Sequence, residues 1–264
     1  MMKTGKVGVL LSCVAAAVLV MPCAAAAADA PVSPHTLTAN VGFVSDYVFR
    51  GISQTSTNPA VQGGIDYSRA SGFYAGVWGS NVSWIADSGA VASGSVTMEL
   101  DTYFGFRNSF AGDFTYDIGF IRYNYLGSYT AASGFDKADT DEVYGAIGYK
   151  WVTAKYSYGL GKFLTVPGAR GTNYIEINAS IPLADTGITF SAHAGRQTYK
   201  GTAAAASTNS PTYSDYRLGI SKDFGGYMVS LAYSDTNATP FYTYSQYGGD
   251  WARGTGILSV TRSF

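Results

Sequence analysis

Strict alternation of apolar and polar side chains over residues 96–107 constrains the fold more than any other feature of the chain. One face of this segment carries only apolar residues and Thr, whereas the other carries Glu99, Asp101 and Arg107. Successive side chains of a β-strand point to opposite faces, so a period of two indicates a strand and does not fit the 3.6-residue period of a helix. The segment is therefore predicted to be a strand with one apolar and one polar face.

The same alternation recurs along the chain and predicts twelve strands. The connections between them are long and short in turn, an order typical of membrane β-barrels, which have short turns at one end and long loops at the other. In the fifth segment the apolar set changes face near Ile121, which predicts a bulge or a bend. The predicted strands cover residues 37–50, 59–69, 73–84, 96–107, 113–126, 141–149, 152–161, 173–182, 188–199, 213–222, 227–234 and 252–264.

Composition agrees with a barrel. The chain has 21 Tyr, 14 Phe and 32 Gly but only 13% charged residues, a balance typical of barrels whose aromatic girdles face lipid. On composition alone a secreted soluble β-sandwich stays open, but a sandwich gives no reason for the order of the connections. The predicted fold class is all-β, a transmembrane antiparallel up-and-down β-barrel of twelve strands.

The first residues have the pattern of a secretory signal peptide. Lys3 and Lys6 precede an apolar run over residues 7–20, and a small-residue cleavage zone follows over residues 24–28. We expect residues 1–28 to be removed and residues 29–264 to form one outer-membrane barrel domain. This export predicts the outer membrane of a Gram-negative-type bacterium as the location.

Loss of the signal peptide also narrows the chemistry. Cys13 and Cys23 lie within it, so the mature chain would have no disulfide and no cysteine-ligated metal, and no cofactor is implied. Without Lys3 and Lys6, 15 basic and 18 acidic residues remain, a net charge of about −3. A nucleic-acid partner would require a basic surface, so none is expected.

The chain ends on an alternating segment closed by an aromatic residue. Leu258 and Val260 share a face with the terminal Phe264. This ending resembles the signal recognised by the outer-membrane assembly machinery, although Arg262 departs from the usual apolar residue. It predicts insertion by that machinery through Phe264, among outer-membrane lipids and lipopolysaccharide.

Three neighbouring stretches carry a family resemblance. They are SDYVFRGISQ (45–54), PAVQGGIDY (59–67) and GFYAGVWGSNV (72–82). Together with Glu99-Leu100-Asp101 and Tyr174-Ile175-Glu176, they resemble the TorF-type porin family of Gram-negative bacteria. The resemblance implies an outer-membrane barrel that acts as a pore, with no catalytic residues to transfer.

Charged residues on the predicted inner wall are the main functional candidates. A Lys or Arg facing lipid near the membrane centre costs about 2–4 kcal/mol, whereas one lining water costs little. The predicted function is a porin-like channel, monomeric or trimeric, through which small hydrophilic solutes or ions diffuse passively. The alternative is a closed barrel, plugged by an inward-folded loop, with a binding or structural role. The pore-lining candidates are Asp46, Arg50, Asp66, Glu99, Asp101, Arg107, Asp117, Arg122, Lys155 and Glu176.

Catalysis is a third hypothesis for the function of the protein. Ser191 and His193 share a strand face, and small outer-membrane barrels include lipid hydrolases built on Ser and His. Alternation places both residues toward the lumen, whereas a hydrolase of bilayer lipid needs its site on the outer wall. His193 is therefore expected to be a hydrogen-bonded lumen residue, and the protein is predicted not to be an enzyme.

Two further groups have both a structural and a binding interpretation. Asp136, Asp139, Asp141 and Glu142 could hold a divalent cation, but their spacing lacks the glycine of an EF-hand loop, so a solvated acidic loop is expected. Large aromatic residues near strand ends are expected to anchor the barrel at the membrane interfaces, although sugar-binding aromatic tracks have a similar pattern. These aromatic residues are Tyr47, Trp78, Trp84, Tyr123, Tyr125, Trp151 and Trp251.

Overall fold

The long strands of the chain form one closed antiparallel barrel in a computed structural model that describes residues 33–202, 211–238, 242–244 and 249–264. Each strand pairs with the next along the chain, and the first pairs with the last. The predicted twelve-stranded barrel is confirmed. Its strands are β1 (His35–Val44), β2 (Ala60–Arg69), β3 (Phe73–Asn81), β4 (Met98–Phe110), β5 (Phe114–Leu126), β6 (Thr140–Tyr149), β7 (Val152–Gly159), β8 (Asn173–Leu183), β9 (Ile188–Thr198), β10 (Tyr213–Asp223), β11 (Tyr227–Thr236) and β12 (Thr255–Ser263).

Short and long connections lie at opposite ends of the barrel, as the sequence predicts. The turn end carries the connections 70–72, 111–113, 150–151, 184–187 and 224–226, and the loop end carries 45–59, 82–97, 127–139, 160–172, 199–212 and 237–254. Ala39 and Phe264 exchange two backbone hydrogen bonds of 2.8 and 3.1 Å near the turn end. The predicted signal peptide, 1–28, lies outside the described residues.

Small elements occupy the connections. No helix among the described residues is long and apolar enough to cross a membrane. The first loop begins at Ser45, earlier than the predicted strand end at residue 50, because the chain turns inward there. The elements are an antiparallel pair Val48–Phe49 and Ile52–Ser53, an α-helix Trp84–Asp87, a pair Val91–Gly94 and Tyr129–Ala131, a 3-10 helix Ala184–Thr186, and a pair Thr243–Tyr244 and Gly249–Asp250.

The outer wall of the barrel is apolar. Leu37, Val61 and Ile118 each expose more than 60% of their surface, and many other large apolar side chains alternate along the strands on the same face. Such a continuous apolar surface is unfavourable in water and suits contact with lipid chains. Near the turn end, Phe114 packs on Phe110 and on Tyr149, with ring centroids 5.6 and 4.7 Å apart.

The prediction that seven aromatic residues anchor the membrane interfaces is wrong for six of them. Only Trp151, at a turn, is exposed. The others lie inside the barrel, where Tyr47 packs edge-on against Trp78 and Trp84 against Tyr125, each with centroids 5.5 Å apart. They belong to an aromatic cluster that fills the loop end, so their burial stabilises the interior. The six inward residues are Tyr47, Trp78, Trp84, Tyr123, Tyr125 and Trp251.

The fifth strand has no bulge, the first of the two alternatives that the sequence predicts there. Pairing between β4 and β5 runs without a shift from Met98 opposite Leu126 to Phe110 opposite Phe114. Continuous alternation therefore places Tyr123 inside the barrel and Arg122 outside. The sequence argument failed because it assigned apolar residues to the lipid face, whereas at the loop end the interior is itself filled with apolar rings.

Tyrosines of the inner wall lie over glycines of a neighbouring strand. A carbon added at Gly195 of β9 would overlap the hydroxyl of Tyr174 on β8. Tyr174 thereby crosses β9 and donates to Asp215 on β10 at 2.9 Å. The missing side chain thus opens a path for a hydrogen bond that joins three strands. The same arrangement joins Tyr103 over Gly76 to Asp66 at 2.5 Å, and Tyr74 over Gly105 to Asp117 at 2.6 Å.

Gly195→Val is expected to lower the free energy of unfolding by about 1–3 kcal/mol, because overpacking would push Tyr174 away from Asp215. Gly145→Val is the matched control, since an added carbon there meets no atom within 4 Å. Urea unfolding of the refolded barrel, followed by tryptophan fluorescence, measures both variants. Equal midpoints for the two variants would show that this packing does not stabilise the barrel.

Candidate functional site: the barrel interior

The barrel interior receives nine of the ten predicted charged residues. Seven alternate onto the inner wall, and Asp46 and Arg50 enter the interior on the first loop instead of on a strand. Arg122 is the exception, because it faces outward at the loop end and pairs with Asp141 at 2.9 Å. The seven wall residues are Asp66, Glu99, Asp101, Arg107, Asp117, Lys155 and Glu176.

Charges of opposite sign face one another across neighbouring strands. Arg107 lies directly opposite Asp117, with its guanidinium 4.6 Å from the ring centre of Tyr74. Lys155 lies opposite Glu176, with its ammonium 4.3 Å from the ring centre of Tyr144. Charges of opposite sign on neighbouring strands of one wall create a field across the lumen.

A histidine network on the same wall includes a residue that the list of candidates missed. His193 Nε2 lies 2.9 Å from Asp215 Oδ2, and its Nδ1 lies 2.7 Å from Asn178 Oδ1. Glu176 Oε2 is 3.6 Å from the same ring. Asp215 and the inward Arg217 are found by the same alternation, applied along 213–222. Both histidine nitrogens thus have partners, and Ser191 is not among them, so the geometry of a Ser–His hydrolase is absent from this pair.

The first loop, 45–59, folds into the loop end of the barrel. Asp46 stabilises the base of this loop, because its carboxylate accepts hydrogen bonds from Ser53 at 2.6 Å and from Thr55 at 3.3 Å. Burial raises the pKa of Asp46 in spite of these hydrogen bonds. At the tip, Arg50 and Gly51 have φ of 48° and 77°, a left-handed turn that glycine adopts easily. The turn aims the Arg50 side chain across the lumen.

Arg50 fastens this loop to the opposite wall. Its guanidinium donates to both carboxylate oxygens of Glu142, at 2.8 and 3.1 Å, and to Gln197 at 2.9 Å. The ring centre of Tyr174 lies 4.3 Å from the guanidinium. Burial disfavours the charge of Arg50, but pairing with Glu142 outweighs burial and raises the pKa of Arg50. A two-pronged pair of this kind fixes both position and orientation.

The four acids expected to form a solvated acidic loop do not all lie in solvent and do not converge on one point. Asp141 and Asp139 lie 2.9 and 3.9 Å from Arg122 on the outside, whereas Glu142 turns inward to Arg50. In the part of the chain that the structure describes, no three His, Cys, Asp or Glu side chains are arranged so that they could hold a metal ion.

Aromatic rings surround the first loop and line a recess at the loop end. The recess has an empty volume of about 540 Å³, which includes the open solvent at its mouth. Gln54 and Gln197 supply amide groups to its lining. The rings that line it include Phe49, Trp84, Phe163, Tyr199, Tyr213 and Trp251.

Fold and interior together define a class of protein, the closed twelve-stranded antiparallel β-barrel with an apolar exterior and an ionisable interior. The chain belongs to the family described as "Bacterial protein of unknown function (Gcw_chp)", whose model matches residues 27–264. The TorF-type name that the sequence suggested stays a prediction.

Several solved barrels are similar to this chain. A KdgM porin in complex with disordered oligogalacturonate has 10% identity and a TM-score of 0.49, covering 87% of this chain and 99% of that chain. The NanC porin has 9% identity and a TM-score of 0.47, covering 87% and 99%. OprD of Pseudomonas aeruginosa has 13% identity and a TM-score of 0.39, covering 86% and 66%. No curated protein matches the sequence. The fold assignment rests on this chain's own strand register.

Proposed function

We propose that the protein is an outer-membrane channel for passive diffusion of small hydrophilic solutes or ions, with selectivity set by inward charges. The proposal rests mainly on the alternation along the strands, which present apolar side chains outward and ionisable or hydroxyl side chains inward. A wall of this kind suits lipid on one side and water on the other. Export by the signal peptide, insertion through Phe264 and a monomeric or trimeric state belong to the same proposal, which involves no cofactor and no catalysis.

One sector of the interior supplies the proposed path. Strands β11, β12, β1 and β2 present small inward residues, among them Ser230, Ser259, Gly42 and Gly64. The opposite sector carries the large tyrosines and most of the ionisable side chains. Solutes would therefore pass along the small side chains and face the charged wall, with the first loop as the constriction near the cell exterior.

A second candidate function is a closed barrel with a binding or structural role. The observation that favours it is the aromatic cluster at the loop end, which the first loop enters and Arg50 fastens. In this reading the loop is a permanent plug. The two candidates differ in one measurable property, the passage of ions.

Single-channel recording of the refolded mature protein in a planar bilayer tests the proposal. We expect stepwise, ohmic currents, with a reversal potential across a KCl gradient that reports the charge preference of the lumen. A barrel that shows the usual heat-dependent shift on a gel, yet conducts no current in any variant of the first loop, would favour the closed barrel.

A further inference from the structure

Arg217 differs from the other inward cations of the described residues in having no partner. Arg50 pairs with Glu142, Arg107 lies opposite Asp117, and Lys155 lies opposite Glu176. Arg217 lies opposite His193 on one side and Ser234 on the other. Within the described residues it has no hydrogen bond, ion pair or ring contact. Its positive charge is therefore available to a solute.

The nearest acid on the same strand face is already occupied. Asp215 accepts hydrogen bonds from Tyr174 at 2.9 and 3.1 Å and lies 2.9 Å from His193 Nε2. The loop segments 203–210, 239–241 and 245–248 contain no Asp or Glu in their sequence, so they supply no carboxylate for Arg217. The five N–H donors of the guanidinium thus face the interior.

Hydroxyl groups continue from Arg217 into the sector of small side chains. Ser234 is its cross-strand neighbour on β11, and the next inward residue of β11 toward the turn end after Ala232 is Ser230. Ser259 of β12 lies directly opposite Ser230. A planar guanidinium beside hydroxyl donors matches an oxyanion, which a guanidinium binds through two parallel hydrogen bonds.

We propose that Arg217 forms an oxyanion-binding station on the inner wall, through which the channel selects small carboxylates or phosphate. This inference rests on the proposed channel function. Arg217 recognises the anion, Ser234 directly opposite it supplies the nearest hydroxyl, and the Tyr174–Asp215–His193 network fixes the wall beside it.

The test compares Arg217→Gln, Arg217→Lys and Arg196→Gln in planar bilayers. Arg196 lies on β9, is exposed and donates to Ser214 at 3.1 Å, so Arg196→Gln removes the same charge away from the lumen. We expect Arg217→Gln to lower the chloride-to-potassium permeability ratio several-fold and to abolish current block by inorganic phosphate. Arg217→Lys should keep the charge preference but weaken the phosphate block, because a lysine ammonium cannot donate the two parallel hydrogen bonds of a planar guanidinium.

The outcomes of this test distinguish failure of the Arg217 site from failure of the proposed channel function. If the wild-type protein conducts and Arg217→Gln shifts the reversal potential no more than Arg196→Gln, the station is wrong and the channel stands. Block by acetate as well as phosphate, lost together in Arg217→Gln, would support a general oxyanion station, and block by phosphate alone would restrict it to phosphate. A wild-type barrel that stays silent, together with all its variants, would overturn both proposals.

Discussion

Replacing Arg50 with alanine is expected to raise single-channel conductance several-fold, because it removes the side chain that fastens the first loop inside the barrel. Arg50 makes three charge-assisted hydrogen bonds to the opposite wall, to Glu142 and Gln197. Loss of one partner of a buried ion pair typically costs about 3–5 kcal/mol, since the other charge is left buried and unpaired. Withdrawal of the loop would hydrate Glu142 and relieve that cost.

Arg122→Ala is the matched control. Arg122 also pairs with an acid at 2.9 Å, but it lies outside the lumen and its side chain is 42% exposed. Exposed pairs contribute only about 0–1 kcal/mol, so conductance should not change. Equal conductance of Arg50→Ala and the wild type would mean that the loop is held by its aromatic contacts and not by the ion pair.

Proteolysis gives an independent measure of the loop position. Arg50 is the only Lys or Arg within residues 45–59, so trypsin cleavage after Arg50 reports exposure of this loop. Glu142→Gln keeps the cleavage site but removes the charged partner, and cleavage after Arg50 should increase. Cleavage after the exposed Arg170, on the loop 160–172, serves as the reference within each sample. Unchanged cleavage in Glu142→Gln would show that the ion pair does not hold the loop.

The twelve strands could be predicted from the sequence because lipid and lumen impose a period of two on every strand. The fate of residues 45–50 could not be predicted, because Asp46 and Arg50 continue the alternation of β1. In the folded protein the inward-turned Arg50 pairs with Glu142, 92 residues away in sequence. Local periodicity carries no information on such a distant partner.

The inward aromatic residues failed to be predicted for a related reason. Tyr123 and Tyr125 have the apolar rings expected at a lipid surface, and the rule of apolar-out, polar-in assigns them there. Their hydroxyls instead donate to Glu142 at 3.0 Å and to Glu99 at 3.2 Å inside the barrel. Tyrosine suits both environments, so only the strand register decides between them.

For Asp101, local alternation predicts the face of the strand but not the surroundings of the side chain. Alternation correctly places it on the inner face, and water was expected around it there. In the structure Asp101 is only 2% exposed, with Trp78 and Tyr123 as its cross-strand neighbours. Its Oδ1 has no hydrogen-bond partner among the described residues, and the same holds for Oε2 of Glu99, two residues earlier on the same face. A buried carboxyl oxygen without a donor destabilises the fold.

Asp101→Asn is therefore expected to raise the free energy of unfolding by about 1 kcal/mol, because it replaces a buried acid that lacks a donor at Oδ1 with a neutral amide. Asp215→Asn is the matched comparison, since Asp215 is 4% exposed but accepts from Tyr174 and lies 2.9 Å from His193. That variant should lower the free energy by about 1.5–3 kcal/mol, the usual worth of hydrogen bonds to a charged group. Urea midpoints of the refolded barrels measure both changes.

If the two substitutions change the free energy of unfolding in opposite directions, they distinguish acids that stabilise the barrel from acids that destabilise it. An acid that destabilises the fold, close to the inserted loop, would then point to a role in the lumen, since stability gives no reason for its presence. If Asp101→Asn lowers the free energy of unfolding as Asp215→Asn does, the Asp101 carboxylate has a stabilising partner such as a bound cation. Repeating the unfolding of the wild type and of Asp101→Asn with sodium, potassium and calcium salts would identify that cation, because the wild-type midpoint would depend on it and the Asp101→Asn midpoint would not.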